Sequence, residues 1–232
     1  MPLADAAAIA AKQSTTAVPI VFAVGGDPVA MGLVESIPKP GGRLTGIHSI
    51  IVELTAKRLE LLRQVVPTLR RVAVFYHPDN PVARASLAST QAAARDLGIE
   101  VTAREAASPT TLRDAVGKLR AGDADAIFFI ADATVLSEDK LILERASALG
   151  IPVMAYELDL VAEGALAGYG VHYREFGRLA AEYSARILAG ANPRDLPVQS
   201  LRPMLGINLR TARALGLEIP ATLLARADEV IE

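Results

Sequence analysis

Between Val52 and Tyr156 the sequence repeats one grammar four times: a helix-period segment, a glycine or proline stop, then a short apolar run. Val52 to Val66 carries apolar residues at Leu54, Leu61, Leu62 and Val65 and closes at Pro67 ahead of the run RVAVFY, 71–76. Asn80 then stands at an N-cap position with Pro81 behind it, which starts a helix that Gly98 stops. Ile99 to Ala103 is the next strand. Ser108-Pro109 opens another helix, with Leu112, Ala115, Val116 and Leu119 inward and Gly122 as its stop. Ala126 to Ile130 follows, then a helix capped by Ser137 and ended by Leu149-Gly150, then the strand Ile151 to Tyr156. Strands that are apolar on both faces and alternate with helices of this length predict a parallel sheet covered by helices on both sides.

An earlier stretch has a different character. Ile20 to Val24 is an apolar strand that breaks into Gly25-Gly26-Asp27-Pro28, and a helix is expected after Pro28. Lys39-Pro40-Gly41-Gly42 then leads to Thr45-Gly46, and GALAGYG (164–170) reads as a second glycine-flanked strand. These two stretches mark places where the chain crosses between two bodies. Ahead of them, Met1 to Lys12 lacks a basic start and carries Asp5 in its apolar part, so it reads as an amphipathic helix rather than a secretion signal. At the far end a helix is expected over 174–188, a short strand over 205–208 and a last amphipathic helix from Ala221 to Ile231.

Composition narrows the function classes. A net charge of −2 with interleaved signs gives no basic block for nucleic acid or a membrane surface. With no cysteine, disulfides and thiol chemistry are excluded. The histidines, His48, His77 and His172, are far apart in sequence and never spaced as helical ligand pairs, so no metal or other cofactor is expected. Nucleophile elbows, phosphate loops and dinucleotide fingerprints are absent, so the chain is not expected to be an enzyme. What remains is a set of polar residues where strands end: Asp27, the pair Asp79 and Asn80, Asp132 and Glu157. Each has an ordinary explanation, as a cap or turn residue. In an open α/β sheet, however, all strand ends meet at one edge, and ligands bind there.

At these residues the chain resembles a known family, the substrate-binding proteins of bacterial ABC importers, in the branch labelled tryptophan/tyrosine-type. The resemblance is carried by VPIVFAVGGDPVAMGLV (18–34), PGGRLTGIHS (40–49), VELTAKRLELLRQVVP (52–67), RVAVFYHPDNP (71–81), GALAGYGVHYREFGRLAAEYSARILAGANPRDLPVQ (164–199) and INLRTARALGLEIPATLLARADEVIE (207–232). It implies a two-lobed periplasmic-binding-protein-like α/β fold holding a small, amino-acid-like solute between the lobes, an extracytoplasmic location and a membrane permease as partner. The same resemblance places the cleft loops at Gly25, Gly26, Asp27 and Pro28, at Pro78, Asn80 and Pro81, and at Asp132 and Glu157. The expected division is 1–45 with 171–200 as a first lobe and 46–170 as a second, with 201–232 assigned to neither. Two residues depart from the family pattern: His77, where asparagine is commoner, and His172, where relatives often carry aspartate. Relatives also carry an export signal and about three further βα units ahead of the opening helix. The first lobe is therefore expected to be incomplete, to bind solute weakly and to self-associate through its exposed strand edge. Alternatives are an effector-sensing domain of the same fold and, further off, an α/β enzyme using carboxylates.

Overall fold

The computed structural model describes residues 5–232, and the opening part of the expected N-terminal helix lies outside them. The chain divides into two compact units, Met1–Ile51 with Val171–Pro203, and Val52–Gly170 with Met204–Glu232.

The first unit opens on α1 (Asp5–Ser14), followed by β1 (Ile20–Val24) and β2 (Leu44–His48). Its sheet has the order β1-β2-β8, where β8 is the short Gln199–Ser200, and all its pairings are parallel. Phe22 and Val24 pack with Ala8 of α1 on one face of β1. On the other face Val21 and Ala23 pack with Ile47, Val171, Phe176 and Leu179, the last two from the long helix α8 (Tyr173–Leu188). Gly46 is required here, because a Cβ would lie 2.1 Å from the Phe22 carbonyl oxygen.

The second unit runs α2 (Leu54–Val65), β3 (Arg71–Tyr76), α3 (Pro81–Leu97), β4 (Glu100–Glu105), α4 (Pro109–Gly117), β5 (Ala126–Phe128), α5 (Ala133–Leu136), α6 (Asp139–Leu149), β6 (Val153–Glu157), α7 (Asp159–Ala162) and β7 (Ala167–Val171). After α8 and β8 the chain returns to this unit as β9 (Met204–Asn208), α9 (Leu209–Ala214), α10 (Ala221–Leu224) and β10 (Glu229–Ile231). The seven strands stand in the order β10-β9-β7-β6-β5-β3-β4. The β3–β4, β3–β5, β5–β6 and β9–β10 pairs are parallel, and β7–β9 is antiparallel. One large core joins Leu59, Leu62 and Val65 of α2 to Val72 and Val74, Phe128, Met154 and Ile207.

Local capping accounts for the helix boundaries. Asn80 Oδ1 accepts from the Val82 and Ala83 amides, and Gly98 ends α3 in the left-handed region at φ 65°. Three expectations are corrected. The segment after Pro28 is a single turn rather than a helix: Met31 N–H donates to the Asp27 carbonyl, and Gly32 at φ 67° breaks the run. Ser137 does not start the next helix: it is the C-cap of α5, whose N-cap is Asp132, and Glu138 is the N-cap of α6. The last segment is not one helix to Ile231. α10 stops at Leu224, and Glu229–Ile231 pairs with β9 because the β-branched Val230 and Ile231 gain a ladder there. The Leu205 N–H to Asp228 carboxylate bond (2.9 Å) and the Asp228 N–H to Leu205 carbonyl bond (2.8 Å) fasten that return.

Candidate functional site

Strand ends of the second unit supply the best-defined polar cluster. The loop after β3, His77 to Asn80, meets the loop after β5 at Asp132. Asp132 Oδ2 accepts from the His77 amide (2.9 Å) and from Asn80 Nδ2 (3.2 Å). Its Oδ1 accepts from the Thr134 (2.8 Å) and Val135 (3.2 Å) amides at the start of α5. A carboxylate that is 2% exposed and bonded to four N–H groups is a structural tie between two loops. Asn80 is its counterpart, since one side chain caps α3 through oxygen and reaches Asp132 through nitrogen.

The Asn80–Pro81 helix start has no free amides to offer a ligand, for a local reason. Val82 and Ala83 donate to Asn80 Oδ1, Arg84 donates to the Asn80 carbonyl, and Pro81 has no N–H to give. Side chains therefore make the usable chemistry. His77, Asp79, Asn80, Asp132, Ala133 and Thr134 line a recess of about 180 Å³. His77 Nδ1 accepts from the Asp79 amide at 3.1 Å, which assigns the ring proton to Nε2 and makes that nitrogen a donor. The recess thus offers donors at His77, Asn80 and Thr134 and an exposed carboxylate at Asp79. Its volume is below the usual range for whole-ligand pockets, about 300–1,000 Å³. It suits the charged end of a solute rather than the whole of an aromatic one.

Glu157 ends β6, the strand beside β5, and is 5% exposed; its Oε1 accepts from the Asp159 amide at 3.1 Å. Its neighbour Tyr156 is buried, as a strand-core residue would be. Tyr76, at the end of β3, points its hydroxyl at Glu105 on β4 (3.0 Å); burial and then the Glu105 carboxylate raise its pKa above the ordinary tyrosine value. Asp79 was among the strand-end residues read from the sequence, whereas His77 and Thr134 were not. Their place in the same strand-end loops as Asn80 and Asp132 was the signal that pointed to them.

In the first unit Gly25 to Pro28 follow β1. The Gly25 amide donates to the Asp5 carboxylate of α1 at 2.8 Å, and a Cβ on Gly26 would meet the same carboxylate at 3.2 Å. Asp27 is exposed, and its Oδ1 accepts from the Val29 (2.8 Å) and Ala30 (3.3 Å) amides, which caps the turn begun by Pro28. That turn is the use the structure makes of Asp27.

A family model described as ABC transporter substrate binding protein matches residues 1–231. The chain belongs to that family. Among its relatives is a tyrosine-binding protein of Clostridioides difficile (strain R20291), 29% identical over 210 residues. The match takes in 90% of this chain and 60% of that protein, so the chain spans well under two thirds of its relative's length. A solved conserved domain protein from Vibrio cholerae superposes with a TM-score of 0.80 at 30% identity, over 97% of this chain and 76% of the other. The ABC domain of Streptococcus pneumoniae solved in complex with L-Trp gives 0.77 at 24% identity, over 98% and 76%, a likeness of fold. The chain is thus a substrate-binding ABC transporter family member of the periplasmic-binding-protein type, with helix-flanked and mostly parallel sheets. Among the described residues no helix is long and apolar enough to cross a membrane.

Proposed function

We propose that this chain captures an amino acid with an aromatic side chain, L-tyrosine first among those to test, and does no chemistry on it. The reading is carried by the recess between the β3 and β5 loops, which combines neutral donors with an exposed carboxylate. An amino acid's carboxylate would take hydrogen bonds from His77, Asn80 and Thr134, and its ammonium would face Asp79, with Glu157 at the neighbouring strand end. Asp132 and Pro81 contribute by holding the loops, and Gly25, Gly26, Asp27 and Pro28 are the first unit's candidate loop. The C. difficile relative named for tyrosine binding supports this solute class. The same reading makes the chain an extracytoplasmic component that delivers solute to a membrane permease, with no nucleic-acid partner.

Titration calorimetry with L-tyrosine, L-tryptophan and a neutral hexose tests the assignment. Saturable heat with an aromatic amino acid, unchanged solute at the end and no response to the hexose are expected. Absence of heat and of thermal stabilisation with every amino acid would overturn it.

We also propose self-association through β1, which stands at a sheet edge, with Val18 (57% exposed) just ahead of it and Val29 (39% exposed) in the turn that follows the Gly25–Pro28 loop. Sedimentation across a concentration series should show a growing dimer fraction. A monomer throughout overturns this reading.

A further inference from the structure

The candidate site uses the strand ends of the second unit, and the strand starts carry a second recess. Val66, Arg70, Arg71, Asp125, Pro152 and Leu217 line a cavity of about 350 Å³. Arg71 opens β3, Asp125 directly precedes β5 and Pro152 directly precedes β6, so three neighbouring parallel strands place it at their amino ends. Strands of five or six residues run roughly 17–20 Å, which sets this cavity apart from the recess at His77 and Asp132. A groove of about 820 Å³ adjoins it, and Gly150 and Leu215 line both. Leu143, Ala146, Ile151 and Val153 give the groove an apolar lining. It follows α6 from Lys140 to Ala148, roughly 12 Å at the helical rise.

The charges differ between the two ends. Asp125 is engaged by the protein itself: its carboxylate accepts from the Arg70 and Arg71 amides, both at 2.9 Å, and from the Arg71 guanidinium at 3.1 Å. The Arg70 guanidinium is left over, with no carboxylate at ion-pair distance among the described residues. Two arginines against one carboxylate leave the cavity with a surplus positive charge. At the groove the charged side chains are Lys140, Glu144 and Glu163, all exposed, so an anionic group would be repelled there more than at Arg70.

We propose that the amino edge of this sheet binds an amphipathic carboxylate, its head on Arg70 and its aliphatic chain running past Leu215 into the groove along α6. A guanidinium matches a carboxylate in shape as well as charge, through two parallel N–H donors. The chain would take the place of water on the groove's apolar lining, which is the favourable direction for both surfaces. Neither volume is too small for such a ligand, since whole-ligand pockets run about 300–1,000 Å³. The inference stands apart from the amino-acid-binding reading, because the two sites share no residue.

Backbone amide chemical shifts of the full chain, titrated with decanoate, test it. Saturable shifts are expected at Arg70, Asp125, Gly150 and Leu215, with His77, Asn80 and Thr134 unmoved. Butyrate has the head without the long chain, and decyltrimethylammonium has the chain with the opposite charge. Each should bind at least tenfold more weakly than decanoate. Arg70→Gln keeps the backbone N–H that holds Asp125 and should lower decanoate affinity at least tenfold. Ala214→Trp, at an exposed position lining the groove, should obstruct the chain and lower affinity at least fivefold. The proposal is overturned if the four amides show no saturable shift, or if the shifts centre on His77 and Thr134. It is equally overturned if either control ligand binds as tightly as decanoate, or if either variant stays within twofold of wild type. Should one variant not fold, the other and the two control ligands decide. L-Tyrosine titrated in parallel reads the amino-acid site separately, and its failure to bind would count against that reading alone.

Discussion

Replacing Asp132 with alanine removes the acceptor for four donors at once, and the structure allows the cost to be worked out in two parts. Losing the bonds to the Thr134 and Val135 amides uncaps α5, which costs about 1 kcal/mol. Losing Oδ2 leaves the half-buried His77 amide and the Asn80 amide group without their acceptor, roughly 1–3 kcal/mol more. The sum is about 2–4 kcal/mol. For a domain of about 150–250 residues this corresponds to a fall in melting temperature of roughly 4–16 °C. Asp132→Asn separates the two parts. Its oxygen can keep the α5 cap, but its nitrogen then faces two donors. Asn80 cannot turn over to relieve this, because its own oxygen holds α3. Asp132→Asn should therefore lose about half as much as Asp132→Ala. Thermal melts followed by circular dichroism without solute read both variants. A Asp132→Ala protein melting within about 1 °C of wild type would refute the reasoning, since it would mean that the four bonds contribute nothing net.

Asp79→Asn removes an exposed charge from the recess and should leave the melting temperature unchanged while weakening L-tyrosine binding roughly 10–100-fold, as for the loss of one charge-assisted bond; calorimetry checks it. Asn80→Ala should lower stability by about 1 kcal/mol or more through the lost α3 cap, read as a shift in urea midpoint at constant slope. Gly170→Ala should give a protein that melts lower or fails to fold, because the new Cβ would stand 1.8 Å from the Tyr156 carbonyl oxygen; soluble yield and melting temperature report it. Asp125 yields a pH dependence. Burial pulls its pKa up, but the Arg70 and Arg71 amides and the Arg71 guanidinium outweigh that and hold it below the usual value. A depressed folded pKa means that stability is present above the unfolded value of about 4 and is lost as pH falls through the folded value. Melts from pH 6 down to about pH 2 should therefore show Asp125→Asn losing less stability than wild type over that window.

What could be read from the sequence was what neighbouring residues decide. Asn80 before Pro81, Gly98 after Leu97 and Gly150 after Leu149 each cap or stop a helix within a few residues of themselves, and all three appear where the pattern put them. What could not be read depends on partners far along the chain. Asp132 is a turn aspartate in sequence. It becomes a tie only because β3 and β5 are neighbours, which brings His77 and Asn80 to it across more than fifty residues. The terminal segment has the same origin: nothing local to Glu229–Ile231 announces that β9 offers an edge, and local helical spacing misleads. Arg58 shows a third limit. It sits four residues after Leu54 and four before Leu62, on the inward face of α2, where a hydropathy pattern counts any arginine as outward.

These cases bear on how the site works. A strand-end carboxylate attracts attention as a partner for a solute's ammonium, yet at Asp132 both oxygens are held by the protein's own N–H groups. In the proposed reading, ammonium recognition falls instead to the less sheltered Asp79, whose side chain is not required by a cap. Asp132 acts before any solute arrives, by fixing where His77, Asn80 and Thr134 stand. Loops already tied in place lose less freedom when they take up a ligand, so a residue without direct contact strengthens binding by reducing the ordering cost. The two kinds of residue leave different signatures. Substitution at Asp132 changes stability and affinity together, whereas substitution at Asp79 changes affinity alone, so the pair distinguishes the residue that shapes the recess from the residue that meets the solute.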